Sequence, residues 1–187
     1  MKIIYIIRHG EVEKNFQKSF RGKKCDCELS NKGIVQSKEI AKFLNNIKID
    51  ICITTGLKRT DFISQFLNHN IKNIIEPNLK EIDFGLWDNL RIEDIENNFP
   101  EDLKNYYNFW ETGQLEKISF PEGENYQSFF KRIKTSWDKL KNKSFKQMAI
   151  VGHSFSNACL HSIINNQPLH TFPIMKYGSM TKICLNS

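Results

Sequence analysis

Apolar positions along this chain follow two rhythms. Short apolar-rich runs at residues 3–7, 50–54, 73–76 and 148–152 read as strands buried on both faces. A last run, residues 180–185, has no helical pattern after it and is expected at a sheet edge. Between the first two runs Ser30 has the chemistry of a helix N-cap. Behind it Ile34, Ser37, Ala41 and Leu44 share one face, with Ile40 and Ile47 beside them. A second helix is expected from near Leu57, burying Phe62, Ile63 and Phe66. A third is expected over about 126–141, with Phe129, Phe130, Ile133, Trp137 and Leu140 at helical spacing.

Strands alternating with helices predict an α/β fold: a three-layer α/β/α sandwich around a mostly parallel central sheet. At 187 residues the whole chain, 1–187, is read as a single domain. Residues 90–120 break the rhythm. They are polar and aromatic-rich (Tyr106, Tyr107, Phe109, Trp110, Phe120) and are interrupted by Pro100 and Gly113. They predict a helical insertion over one end of the sheet, serving either as a substrate wall or as plain packing.

Composition narrows the function. No apolar run approaches the ~20 residues that span a bilayer, so no membrane is expected and the chain is read as cytoplasmic. Five cysteines, an odd number, argue against a disulfide framework, and Cys25 and Cys27 lack a second pair at ligand spacing. The net charge of +6 comes from scattered lysines rather than a basic stripe interleaved with aromatics. No nucleic-acid partner is expected; such a field suits a small phosphorylated metabolite.

The candidate chemistry stands just after strand ends. Arg8, His9 and Gly10 follow the first strand, Thr54 to Arg59 close the second, and His153 and Ser154 follow the run at 148–152. In a parallel sheet these sites share one rim, where ligands bind. A guanidinium matches phosphate oxygens bidentately. Two of them would keep His9 neutral and nucleophilic toward phosphorus. The helix following His153 would offer N–H groups to an anion. Gly10 would permit close backbone approach. Glu81 is the candidate general acid, its pKa raised near phosphate charge; Asp83 and Glu11 compete for that role. Each signal alone has a plain alternative, such as a strand-end ion pair or a core histidine. No HExxH or comparable cluster supports a metal.

Taken together, the motifs resemble those of the histidine phosphatase superfamily, the phosphoglycerate-mutase-like group. RHGEVEKN is similar to RHGE(T/S)xxN, and DCELSNKGIVQS to D-x-P-L-(T/S)-x-x-G-x-x-Q-(A/S). TTGLKRT resembles S-x-L-x-R-x-x-x-T, LKEIDFGLWDN resembles L-x-E-x-x-F-G-x-W-E-G, PEGENYQSFFKRI resembles P-x-G-E-S-x-x-x-F-x-x-R, and IVGHS resembles V-(S/G)-H-G. The resemblance implies that His9 is phosphorylated and that Arg8, Arg59 and His153 bind the phosphoryl group, with Asn15 assisting. It implies Glu81 as proton donor and no cofactor or metal. Val12, Glu28, Ser154 and Asp88-Asn89 depart from the pattern, and the backbone N–H of Ser154 could still bind substrate. The substrate-side stretches look like the α-ribazole phosphatase branch, which acts in cobalamin biosynthesis. The alternatives are a broad-specificity phosphatase, a phosphoglycerate-mutase-like enzyme, or a catalytically silent phospholigand-binding module.

Overall fold

The structure, a computed structural model, describes residues 1–13, 18–172 and 174–185. Its sheet comprises β1 (Lys2–Arg8), β2 (Ile51–Thr54), β3 (Lys72–Ile75), β4 (Gln147–Gly152) and β5 (Met180–Leu185), in the order β3-β2-β4-β1-β5. β1 to β4 pair in parallel, while β5 lies antiparallel to β1 at the edge. Each of these strands begins and ends within a residue of its apolar run.

Alternation along the strands builds two cores. Ile4, Ile6, Ile53, Met148 and Ile150 face one side, packed against Phe129, Ile133 and Leu140 of α5 (Tyr126–Leu140) and Leu160 of α6 (Ser154–Asn165). Tyr5, Ile7, Cys52, Ala149 and Val151 face the other, beneath Ala41 and Leu44 of α1 (Asn31–Asn46). The fold is therefore α/β, three layers deep, with a mostly parallel centre.

Two helices depart from their sequence pattern. Ser30 does cap α1, its Oγ accepting from Gly33 N–H at 3.1 Å. The buried stripe, however, starts at Gly33 rather than at half-buried Ile34. A Cβ on Gly33 would lie 1.9 Å from the Glu11 carbonyl oxygen, so the helix start rests directly on the chain leaving β1. The room at Gly10 is likewise filled by Gly33 backbone, 2.3 Å from where a Cβ would stand. The helix expected at Leu57 is only one turn, α2 (Lys58–Asp61), continued by a 3₁₀ stretch over Phe62–Phe66. Ile63 is buried there, but Phe62 and Phe66 pair with each other at 5.3 Å near the surface, and Lys38 stands over the Phe66 ring.

The insertion consists of α3 (Ile92–Asn98) and α4 (Pro100–Glu111). Pro100 takes the first position of α4, where its missing N–H costs nothing. Gly113, at φ +72°, adopts the left-handed conformation just beyond α4. Ile95, Leu103 and Phe120 anchor this unit in the first core. Among the described residues no helix is long and apolar enough to cross a membrane.

Candidate active site

Parallel pairing does the first work of assembly. Arg8 lies opposite Gly152 across β1 and β4, and the His9 N–H donates to the Gly152 carbonyl at 3.1 Å. His9 and His153, 144 positions apart in the chain, thus become neighbours. Their ring centroids are 5.3 Å apart at 63°, and both are buried.

Hydrogen bonding fixes the proton on each ring. His9 Nδ1 stands 2.7 Å from the Gly10 carbonyl, which can only accept, so Nδ1 carries the proton and Nε2 keeps its lone pair. In His153 Nδ1 accepts from Arg59 Nε at 3.2 Å, so Nε2 carries the proton and donates to Thr55 Oγ1 at 3.0 Å. Burial, then the charge of Arg59, holds both imidazoles well below their usual range; Arg8 adds to the effect on each. Two neutral rings result, one of them with a free Nε2.

The two arginines expected to bind the phosphoryl group are placed differently. Arg8 donates through Nη1 to the Met175 carbonyl at 2.6 Å and lies 3.9 Å over the Tyr177 ring. Its Nε is buried without a protein partner. Arg59 is turned the other way. Nε goes to His153, Nη1 to the Cys25 carbonyl and, at 3.9 Å, to Cys27 Sγ, and Nη2 to the Gly22 carbonyl at 3.1 Å. Arg59 is almost fully buried behind the histidines and does not line the cavity they open on. Cys25 and Cys27, both free thiols, pack with Val12 beside it.

Glu81 reaches the same rim. Its carboxylate accepts from Phe155 N–H at 2.9 Å, Ser156 N–H at 3.0 Å and its own neighbour Ile82 N–H at 3.0 Å. Burial nevertheless raises its pKa. The first turn of α6 therefore binds this carboxylate with two of its N–H groups, so these are not open to an anion as the sequence suggested. Ser154 is the first-turn residue that remains on the cavity with Phe155. The competing acids lie elsewhere. Asp83 pairs with Lys23 and Lys24, both at 3.3 Å, and Glu11 accepts from Ser30 and Lys32.

The cavity above these groups measures about 260 Å³. Arg8, His9, Glu81 and His153 form its polar base, while Phe20, Phe84, Ile92, Tyr106, Trp110 and Phe155 wall it. The wall is one packed assembly: Phe20 meets Phe84 at 4.9 Å and Tyr106 at 5.8 Å, and Trp110 meets Phe155 at 5.3 Å. The insertion is thus part of the site. Among the described residues no group of three His, Cys, Asp or Glu is placed to hold a metal ion. Asn15 lies outside the described residues.

A buried neutral imidazole with an open Nε2, a guanidinium with an unspent donor and a protonatable carboxyl together suit attack on phosphorus. The family model of the histidine phosphatase superfamily (branch 1) matches residues 4–186. The chain belongs to that superfamily. A curated relative, phosphoserine phosphatase 1 of Hydrogenobacter thermophilus, is 27% identical over 150 residues, covering 79% of this chain and 68% of that protein. Among solved structures, the α-ribazole phosphatase of Shigella flexneri superposes with a TM-score of 0.85 at 22% identity, covering 98% and 91% of the two chains. A mycobacterial glucosyl-3-phosphoglycerate phosphatase gives 0.83 at 18%, covering 97% and 90%. At those identities the two structures share this fold.

In this histidine phosphatase the roles of several supporting residues escape a reading of motifs. Glu124 and Arg132 are the E and R matched in the PEGENYQSFFKRI stretch, and the fold shows that their work is to hold the Glu81 segment. Arg132 donates to the carbonyls of Asn78, Lys80 and Glu81 and pairs with Glu124 at 2.7 Å, while Glu124 accepts from Asp83 N–H. Thr55 lay within a quoted motif, but only the fold shows its hydroxyl on His153. Arg21, also at the site, belongs to no pattern of charge or spacing in the sequence, and Tyr177 stands in the substrate-side stretch KYGSMTKI with nothing there to mark its role.

Proposed function

We propose that this chain is a metal-independent phosphomonoesterase that works through a phosphohistidine on His9, with α-ribazole 5′-phosphate as its substrate in cobalamin biosynthesis. His9 Nε2 forms a bond to phosphorus as the bond to the leaving oxygen breaks. Glu81 gives its proton to that oxygen and later takes one from the water that attacks phosphorus. Inorganic phosphate leaves and His9 is restored. Arg8, with Arg59 behind it, offsets the phosphoryl charge, and His153 lies against the same group.

The observation that carries the substrate reading is the aromatic wall facing His9. Tyr106, Trp110, Phe20 and Phe155 line the cavity with aromatic surface that suits a flat, apolar part of a leaving group, and the base of a benzimidazole nucleoside is one. The fold shared with the Shigella flexneri enzyme supports the same choice.

The test is kcat/KM for α-ribazole 5′-phosphate, p-nitrophenyl phosphate and 3-phosphoglycerate, each with EDTA, with His9→Ala as the blank. A preference for the ribazole phosphate of ~100-fold or more, some 3 kcal/mol, fits the wall as a base-stacking surface. Equal, His9-dependent rates across the panel would remove the pathway assignment and leave a broad-specificity phosphatase. Activity abolished by EDTA would contradict the mechanism.

A further inference from the structure

We propose that Arg21 is a third phosphoryl-binding arginine of this site, held in position by Tyr177. The inference rests on the phosphatase reading above and adds to it a residue outside the motif set.

The first observation is a shortage of donors. Arg59 spends Nε and both Nη atoms on His153, Cys25, Cys27 and Gly22, and stands behind the histidines. Arg8 spends one Nη on Met175. A phosphoryl group passing through a dissociative transition state spreads its charge over three equatorial oxygens. Among the described residues Arg8 is thus the one motif guanidinium on the cavity, and it is partly committed.

The second observation is where Arg21 stands. It lines the cavity, and its charge is felt at both His9 and Arg8. Among the described residues no carboxylate is within ion-pair distance of Arg8, Arg21 or Arg59. The contacts of Arg21 are neutral oxygens: the Tyr177 hydroxyl through Nη2, and Ser19 Oγ at 3.5 Å through Nη1. Glu81 is the carboxylate whose charge reaches Arg8 and Arg59, and burial favours its protonated form. Three guanidiniums so gathered repel one another, and that cost is relieved when an anion enters between them.

The third observation is preorganisation. Phe20 exchanges backbone hydrogen bonds with Leu90 and Asn89. Gly22 donates to Asp88 at 2.7 Å and accepts from Arg59, and a Cβ on it would come within 2.5 Å of the Ile82 carbonyl oxygen. Arg21 therefore sits on backbone pinned on both sides. Tyr177 is pinned as firmly to the end of β1. The Gly178 N–H donates to the His9 carbonyl at 3.0 Å, Arg8 N–H to the Ser179 carbonyl at 3.0 Å, and Gln36 to the Tyr177 carbonyl at 3.3 Å. Its ring lies against Arg8 and 5.5 Å from His9, while its hydroxyl holds Arg21. One phenol thus spaces two arginines around the nucleophile.

The experiment compares Arg21→Ala, Arg21→Lys and Tyr177→Phe with the wild type, using inhibition by inorganic phosphate and orthovanadate alongside kcat and KM for p-nitrophenyl phosphate. Losing charge-assisted hydrogen bonds to an anion is expected to weaken phosphate and vanadate binding ~10- to 100-fold in Arg21→Ala. Arg21→Lys should recover part of that loss, and Tyr177→Phe, which keeps the ring but not the hydroxyl, should raise KM more than it lowers kcat. A purely structural role would lower the melting temperature and leave phosphate affinity unmoved. Vanadate and phosphate affinities within twofold of wild type in a folded Arg21→Ala protein would overturn the inference. His9→Ala separates the two readings: a dead His9 variant beside an unaffected Arg21 variant discards Arg21 alone, whereas an active His9 variant discards the phosphatase mechanism itself.

Discussion

Arg59 Nε donates to His153 Nδ1 at 3.2 Å, and this bond sets the tautomer of a histidine that faces the cavity while Arg59 does not. Arg59 is a positioning residue here, acting through His153 and through the carbonyls of Cys25 and Gly22. Arg59→Lys keeps the charge, but one ammonium cannot reach acceptors spread around a planar fork. A stability loss of ~1–3 kcal/mol by denaturant unfolding is expected, with kcat/KM falling more than tenfold. Wild-type values for both would show that charge alone is what the site takes from Arg59.

Glu81 is held by three N–H groups and still keeps its proton more tightly than an ordinary glutamate, because burial outweighs them. Its acid form accordingly persists to a higher pH than that of a free carboxyl. Glu81→Gln should lower kcat/KM, which reports the steps up to departure of the leaving group and not hydrolysis of the phosphoenzyme, ~10²–10⁴-fold for an alkyl phosphate ester, whose leaving oxygen must be protonated. For p-nitrophenyl phosphate, whose phenolate departs without a proton, the loss should be far smaller. Equal losses on both esters would contradict proton donation by Glu81.

Both histidines of the candidate site, His9 and His153, are neutral in the folded chain at a pH where a free imidazole is half charged. Below about pH 6.5 the unfolded chain takes up protons that the folded chain refuses, so stability falls as the pH is lowered and is level above that value. Thermal melts from neutral pH downward should show this decline, and it should be shallower in His9→Asn. A melting temperature indifferent to pH over that range would mean that the rings are charged in the folded state.

Much of this site was legible before folding because of how strands present their ends. An apolar run followed at once by Arg8-His9, and another by His153, can be read as two strand ends, and parallel pairing then dictates that they meet. Glu81 was legible by its place after the third strand. The direction in which a side chain points was not. Arg59 fits its motif spacing, yet nothing in TTGLKRT says that four backbone and side-chain acceptors will draw its fork away from the cavity. Nor could the α6 N–H groups be known to serve Glu81, since that contact joins residues 74 positions apart. Arg21 and Tyr177 meet across 156 positions, and no local pattern marks their contact. The helix expected at Leu57 failed for a local reason: Leu57 has no capping side chain, and the turn after Asp61 tightens to 3₁₀.

The aromatic wall makes its own prediction. Trp110 packs against Phe155 in a tilted contact at 5.3 Å and lines the cavity. Trp110→Ala should raise KM for an aromatic nucleoside phosphate ~10-fold, toward the lower end of the range for a stacked base, while inhibition by inorganic phosphate stays within twofold. A parallel loss of phosphate affinity would show that Trp110 supports the base of the site rather than the leaving group.

The central claim is that phosphorus becomes bonded to His9, and trapping the intermediate tests it most directly. Enzyme mixed with p-nitrophenyl phosphate and quenched into alkali, where phosphohistidine survives, is read by intact mass and peptide mapping. One added phosphoryl group on the peptide carrying His9, absent in His9→Ala, is the expected result. Turnover with no phosphoenzyme, or a phosphoryl group on another residue, would contradict it.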